Sequence, residues 1–242
     1  MRKCLCLVLL ISLAGGTAWA LPSSQISLDP VAITANTGEK PQSKVWQHAG
    51  AWWSVLPNSQ GTWLRKLVGT QWTDVLSLST ATNTKADCEV DGDVAHVLLF
   101  TGTTSELVSV QYNSGTGLYE AWTLRPTASS VTLDSGVEIA TIDIDSNGRM
   151  WLASDGSTTI NVRYSDSPYS SWSGPITLET GVSTDDISVV TALPNGTVAV
   201  LWSNQSTKRF GFKTHTDGAD PNTWSADEVP ASQSANDGVG GG

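Results

Sequence analysis

Apolar and polar residues alternate with a period of two through most of this chain. The runs are short and stop at Gly, Asn, Asp, Pro or Ser, as in VAHVLLF (94–100), INVRY (160–164), TVAVLWS (197–203) and RFGFKTH (209–215). Alternation of this kind, rich in β-branched and aromatic residues and bounded by turn formers, predicts half-buried strands joined by tight hairpins. Asp91-Gly92, Asn147-Gly148 and Asn195-Gly196 mark hairpin turns. No apolar stripe at helical spacing occurs, so the chain reads as all-β.

The strands come in repeating groups. Residues 160–178, INVRYSDSPYSSWSGPITL, read as a strand, a turn rich in Ser, Asp and Pro, and a Trp that opens the next strand. Related phrases run over 63–78, 107–124 and 210–229. The anchoring tryptophans Trp72, Trp122, Trp172 and Trp224 are 50, 50 and 52 residues apart. Four antiparallel strands repeated near every 50 residues describe a β-propeller of four-stranded blades. The blades are expected at about 44–80, 84–133, 136–179 and 183–230, with 231–242 opening an incomplete fifth. About four blades are thus present, and the reading is of a fragment of a six- or seven-bladed ring. One large aromatic per blade is expected to wedge between neighbours. Residues 21–43, with Pro22, Pro30 and Pro41, read as a linker or a closing strand around Val31–Thr34.

Residues 1–20 have the form of a signal peptide: Arg2 and Lys3, an apolar run, then Ala18-Trp19-Ala20. This implies a secreted or periplasmic chain, with no transmembrane segment once the leader is cut. Cys4 and Cys6 leave with it, and Cys88 is expected as a buried core residue. The formal charge of −10 disfavours nucleic acid as a partner. His96, inside an apolar run, is expected as a satisfied core histidine. Asn195-Gly-Thr and Asn204-Gln-Ser match the glycosylation acceptor pattern.

The turn phrases resemble the Asp-box, the bacterial neuraminidase repeat of sialidases and other propellers. Residues 214–224, THTDGADPNTW, are an expanded copy, and 165–172, SDSPYSSW, a degenerate one without the Gly. The resemblance implies structural turns, so His215, Asp217 and Asp220 are expected to shape a hairpin rather than hold a ligand. Sialidases also carry an Arg-Ile-Pro motif, which this chain lacks; Arg125-Pro126 has no Ile between them. The resemblance therefore supports the fold and not the hydrolase.

The remaining candidate chemistry lies in the first strand of each blade, which lines the channel of a propeller. Aligning 86–90, 140–144 and 185–189 puts Cys88, Ile142 and Ile187 on one face. The other face then gathers Asp87, Glu89, Asp143 and Asp186 as a ligand-binding channel mouth. Converging carboxylates repel one another, and calcium is the hard cation this oxygen-rich set would take. Three functions follow as expectations. The first is binding of an extracellular ligand, foremost a glycan. The second is glycan degradation by a glycosidase or lyase with part of its active site beyond these blades. The third is a structural or protein-interaction propeller.

Overall fold

The computed structural model describes residues 26–38 and 40–230, so the leader and 231–242 lie outside the described residues. It is all-β, with its strands in four antiparallel sheets. Blade 1 contains β1 (Val45–His48), β2 (Ala51–Asn58), β3 (Gly61–Val68) and β4 (Gln71–Ser79). Blade 2 contains β5 (Lys85–Asp91), β6 (Val94–Phe100), β7 (Thr104–Asn113), β8 (Leu118–Ala121) and β9 (Ser129–Thr132). Blade 3 contains β10 (Ala140–Ile144), β11 (Arg149–Asp155), β12 (Thr159–Asp166) and β13 (Ile176–Thr180). Blade 4 contains β14 (Ser188–Leu193), β15 (Thr197–Asn204) and β16 (Arg209–Thr216). Strands β1–β4, β5–β8, β10–β13 and β14–β16 each pair in chain order, as hairpin-linked meanders do, while β9 pairs back to β7.

Blades stack face to face as those of a β-propeller, and each junction holds an apolar cluster. Trp53, Val55 and Leu64 meet Cys88, Val97 and Tyr119 between blades 1 and 2. Leu98, Leu107 and Trp122 meet Ile142, Met150 and Tyr169 between blades 2 and 3. Trp151 and Val162 meet Val190, Val200 and Trp202 between blades 3 and 4. Trp172 packs into the second of these clusters and Trp224 into the third, each from the rear face of its blade. Trp122 lies on the forward face instead. Trp72 pairs with Leu67 beside Arg65–Asp74, a set turned away from blade 2, so it faces no preceding blade. Wedging therefore holds for three of the four tryptophans.

Two outer edges depart from the expected four-strand ladder. WSADEV (224–229) forms no strand and meets β16 through a single bridge, Phe212–Glu228, and the Ser225 N–H on the Thr214 carbonyl (2.8 Å). The Asp227 carboxylate accepts the Phe212 N–H (2.9 Å) and the Ser225 hydroxyl the Thr214 N–H (3.0 Å), so side chains take donors that a fourth strand would use. In blade 2 the outer strand is split, with β8 pairing the far half of β7 and β9 its near half.

No strand forms at 31–34. That stretch is held to blade 1 by the Asp29 N–H on the Thr70 carbonyl (2.8 Å) and the Thr34 hydroxyl on the Thr82 carbonyl (2.5 Å). Among the described residues no helix is long and apolar enough to cross a membrane.

Candidate functional site

β5 packs beside β10, and β10 beside β14, so these inner strands line the axis. Period-two geometry sends Cys88, Ile142 and Val190 back into the blade junctions. The residues between them point toward the next blade, where backbone donors await. The Asp87 carboxylate accepts the Ile142 N–H from blade 3 (2.8 Å) and the Ser43 N–H just before blade 1 (2.6 Å). Thr141 Oγ1 accepts the Val190 N–H (3.0 Å), and Asp143 Oδ2 accepts the Ala192 N–H (2.7 Å). Blades 2 to 4 thus share one joint at their inner strands, where side chains of β5 and β10 take amides left free on the next strand; between blades 1 and 2 the Cys88 N–H goes instead to the Ser43 carbonyl (2.7 Å).

This geometry also sets the register. Ile142 and Val190 are equivalent, so Val189 and Thr191 of β14 stand where Asp87 and Glu89 stand in β5. The alignment expected from the sequence is three residues off at this strand. Asp186 precedes β14 and is fully buried at 0% exposure. It accepts the Ser183 N–H (2.6 Å), the Ser203 hydroxyl (2.9 Å) and the Gln205 N–H (3.0 Å). Its role there is to tie the loop entering β14 to the end of β15. Asp155 ties the entry of blade 3 in a similar way, accepting the Glu138 and Ile139 amides at 2.9 and 3.0 Å.

Of the four predicted carboxylates, Asp87 is buried (4% exposed) while Glu89 and Asp143 are half-buried. Burial pushes Asp87 up to about 7, against the pull of its two backbone hydrogen bonds. Glu89 also rises to about 7, through burial and then the charges of Asp143 and Asp87. Residues 40–43 bridge the starts of β5 and β10. Lys40 pairs with Glu138 (2.8 Å), and the Gln42 amide donates to the Lys85 and Ala140 carbonyls (3.3 and 3.2 Å). Lys44 reaches back to the Thr37 carbonyl. Glu89 and Asp143 are the half-buried members of the predicted set, although Asp143 also accepts the Ile144 N–H on its other oxygen (2.7 Å) and keeps only its remaining lone pairs for a ligand. Among the described residues no three His, Cys, Asp or Glu side chains form a metal-holding group. Two causes are visible: Asp87 is spent on amides and Asp186 lies off the axis.

The other candidates resolve locally. Cys88 is buried and its thiol is pushed up by burial. His96 is 2% exposed and lowered to about 4, mainly by burial, with Nδ1 2.7 Å from the Ser109 hydroxyl. Asp220 caps its turn through the Asn222 N–H (2.9 Å). Asp217 differs from expectation: it accepts the Ser146 N–H (3.0 Å) and hydroxyl (2.6 Å), clamping blade 4 to a turn of blade 3. The arginines are engaged separately, Arg65 with Asp74 (2.7 Å), Arg149 with Asp166 (2.7 Å) and Arg163 with Asp134 (2.9 Å).

No family model matches the chain, and no curated protein matches it. Solved structures of similar shape include an exo-β-1,3-galactanase from Phanerochaete chrysosporium with β-1,3-galactotriose. It is 14% identical with a TM-score of 0.45, over 84% of this chain and 53% of that one. A GH43 enzyme from Xanthomonas citri complexed with xylotriose is 11% identical with a TM-score of 0.42, over 76% and 72%. The NanB sialidase from Streptococcus pneumoniae is 14% identical with a TM-score of 0.40, over 76% and 28%. The chain spans about half the length of the first of these.

Proposed function

We propose that this chain is a secreted β-propeller that binds an extracellular glycan through Glu89 and Asp143 at its axis. The observation that carries this reading is the position of the two half-buried carboxyl groups on neighbouring inner strands, beside a rigid, backbone-pinned Asp87. Glu89, raised to about 7, offers a proton donor near neutral pH, and the Asp143 carboxyl oxygens beside it offer acceptors. Sugar hydroxyls need both. A glycan array probed with the parent, Glu89→Gln and Asp143→Asn tests it. Binding by the parent that falls at least tenfold in both variants is the expected result. Binding that is unchanged in both, or a parent that binds nothing on the array, overturns it.

The same pair supports a second reading, glycan hydrolysis. A carboxylic acid raised toward neutrality beside a second carboxyl group is the arrangement that divides acid and base roles in glycosidases. Reducing ends released from polysaccharide by the parent, and absent with Glu89→Gln, would establish it. A parent that binds without releasing reducing ends leaves the binding reading alone.

A further inference from the structure

The blade 3–blade 4 junction carries a second feature, built from other chemistry. At its turn end, a cleft of about 470 Å³ is walled by Asn147, Arg149, Tyr164 and Asp166 on blade 3 and by Asp220 on blade 4. A neighbouring cleft of about 450 Å³ shares Tyr164 and Asp166 and ends on Trp172 among several serines. We propose that these joined clefts bind a neutral oligosaccharide of two or more sugar units, at a site separate from the axial one.

The walls are stiff. Arg149 grips Asp166 with two hydrogen bonds, 2.7 and 3.1 Å, and lies 4.3 Å over the Tyr164 ring. Such a planar, two-point pairing on an aromatic face fixes the guanidinium with few rotamers left to lose. The two blades are locked across the cleft by the Ser146–Asp217 clamp, and Gly218 approaches so closely that a Cβ there would stand 2.9 Å from Asn147 Nδ2. A cleft already rigid binds with little ordering cost.

Charge then selects the ligand. The cation on the cleft wall, Arg149, is neutralised by Asp166, and Asp145, Asp217 and Asp220 stand around it. An anionic ligand is repelled. A metal ion is disfavoured too, because Asp145 is spent on the Asn147 and Arg149 amides and the Trp151 indole, at 2.9, 3.0 and 3.0 Å. What remains is a mixture of donors (the outer guanidinium N–H groups and the Asn147 amide) and acceptors (Asp166 and Asp220). Beside them stand aromatic and proline surfaces. Interleaved donors, acceptors and rings match a polyhydroxyl chain. Trp172 adds an indole N–H that is buried without a hydrogen-bond partner.

Asn147 and Asp220 are exposed, so Asn147→Ala and Asp220→Ala test the cleft without threatening the core. The probes are neutral xylo-, cello- and galacto-oligosaccharides of two to six units, titrated into the full chain with tryptophan fluorescence and saturation-transfer NMR as readouts. The expected result is binding by the parent, weakened at least fivefold by each variant and tenfold or more by the pair. Binding that Glu89→Gln abolishes and the cleft variants leave intact overturns this inference while upholding the axial reading. Absence of binding by the parent at millimolar oligosaccharide overturns it as well. Matched melting temperatures confirm that the variants remain folded.

Discussion

Ile142 of blade 3 donates its backbone N–H to the Asp87 carboxylate of blade 2 at 2.8 Å, and the other oxygen of that carboxylate takes the Ser43 N–H at 2.6 Å. One side chain thus holds together blade 2, blade 3 and the segment that leads into blade 1. Removing it in Asp87→Ala leaves two amides without acceptors, and Ile142 is itself buried. An orphaned buried amide costs about 1–3 kcal/mol. Urea unfolding of Asp87→Ala should therefore show a loss of about 2–4 kcal/mol. Cys88→Ser next to it removes no acceptor from these amides, and a smaller loss is expected. Equal losses would mean that general packing, not the pinned amides, sets the effect.

The raised carboxyl groups give stability a pH dependence with a defined sign. Asp87 and Glu89 hold protons more tightly folded than unfolded, since their ordinary values of 3.8 and 4.5 rise to about 7. Between about pH 4 and 7 the folded chain binds more protons, so stability falls as pH rises. Glu89→Gln should match the parent near pH 4. At pH 8 it should exceed the parent by on the order of 1 kcal/mol, after discounting for the solvent that reaches Glu89. Thermal melts of both proteins from pH 4 to 8 check this, and parallel curves would contradict it.

The two-residue alternation and the recurring tryptophans make blades 1 to 3 legible in the amino-acid sequence. The register of β14 is not legible there, for a specific reason. Its stretch Asp185-Asp186-Ile187-Ser188-Val189-Val190 has apolar residues in both phases, so either face satisfies a period-two pattern. A three-residue slip is odd and exchanges the faces. Only the Val190 amide on Thr141 settles which phase is used. The broken outer edges are hidden likewise, because Asp227 and Ser225 act through oxygens that no hydropathy pattern registers. The shared face of Glu89 and Asp143 follows from the two-residue spacing of β5 and β10, and their ligand role is the proposal made above. The bridging of β5 and β10 by residues 40–43 depends on contacts across 98 positions, such as Lys40–Glu138.

The two acceptor asparagines should behave differently in a glycosylating secretory host. Asn195 is exposed at a hairpin tip, with the Thr197 hydroxyl 2.7 Å from its side-chain oxygen. Asn204 is 8% exposed and accepts the Thr207 N–H at 3.0 Å, closing the β15–β16 connection. A glycan on its amide would require that side chain to leave the fold. Peptide mapping of the secreted protein should find Asn195 occupied and Asn204 bare.

The split in the outer strand of blade 2 explains a buried arginine. Between the stretches that β8 and β9 cover, β7 would lose its outer partner near Ser109. Arg125, 5% exposed, fills that place. It donates to the Leu107 and Thr127 carbonyls (2.9 and 2.5 Å), to the Ser109 hydroxyl (2.5 Å) and, across the junction, to the Pro168 carbonyl (3.0 Å). All four acceptors are neutral oxygens, and burial lowers the arginine from its ordinary value without bringing it near neutrality. Its contribution should therefore not vary between pH 5 and 9, unlike that of Glu89. Arg125→Ala strips donors from several buried oxygens and should cost about 3–4 kcal/mol. Arg125→Lys keeps the charge but not the planar fork, and should recover less than half of that loss. Urea unfolding at pH 5, 7 and 9 checks both. A loss that shrinks at one end of that range would point to an ionisable partner, and full rescue by lysine would show that charge alone suffices.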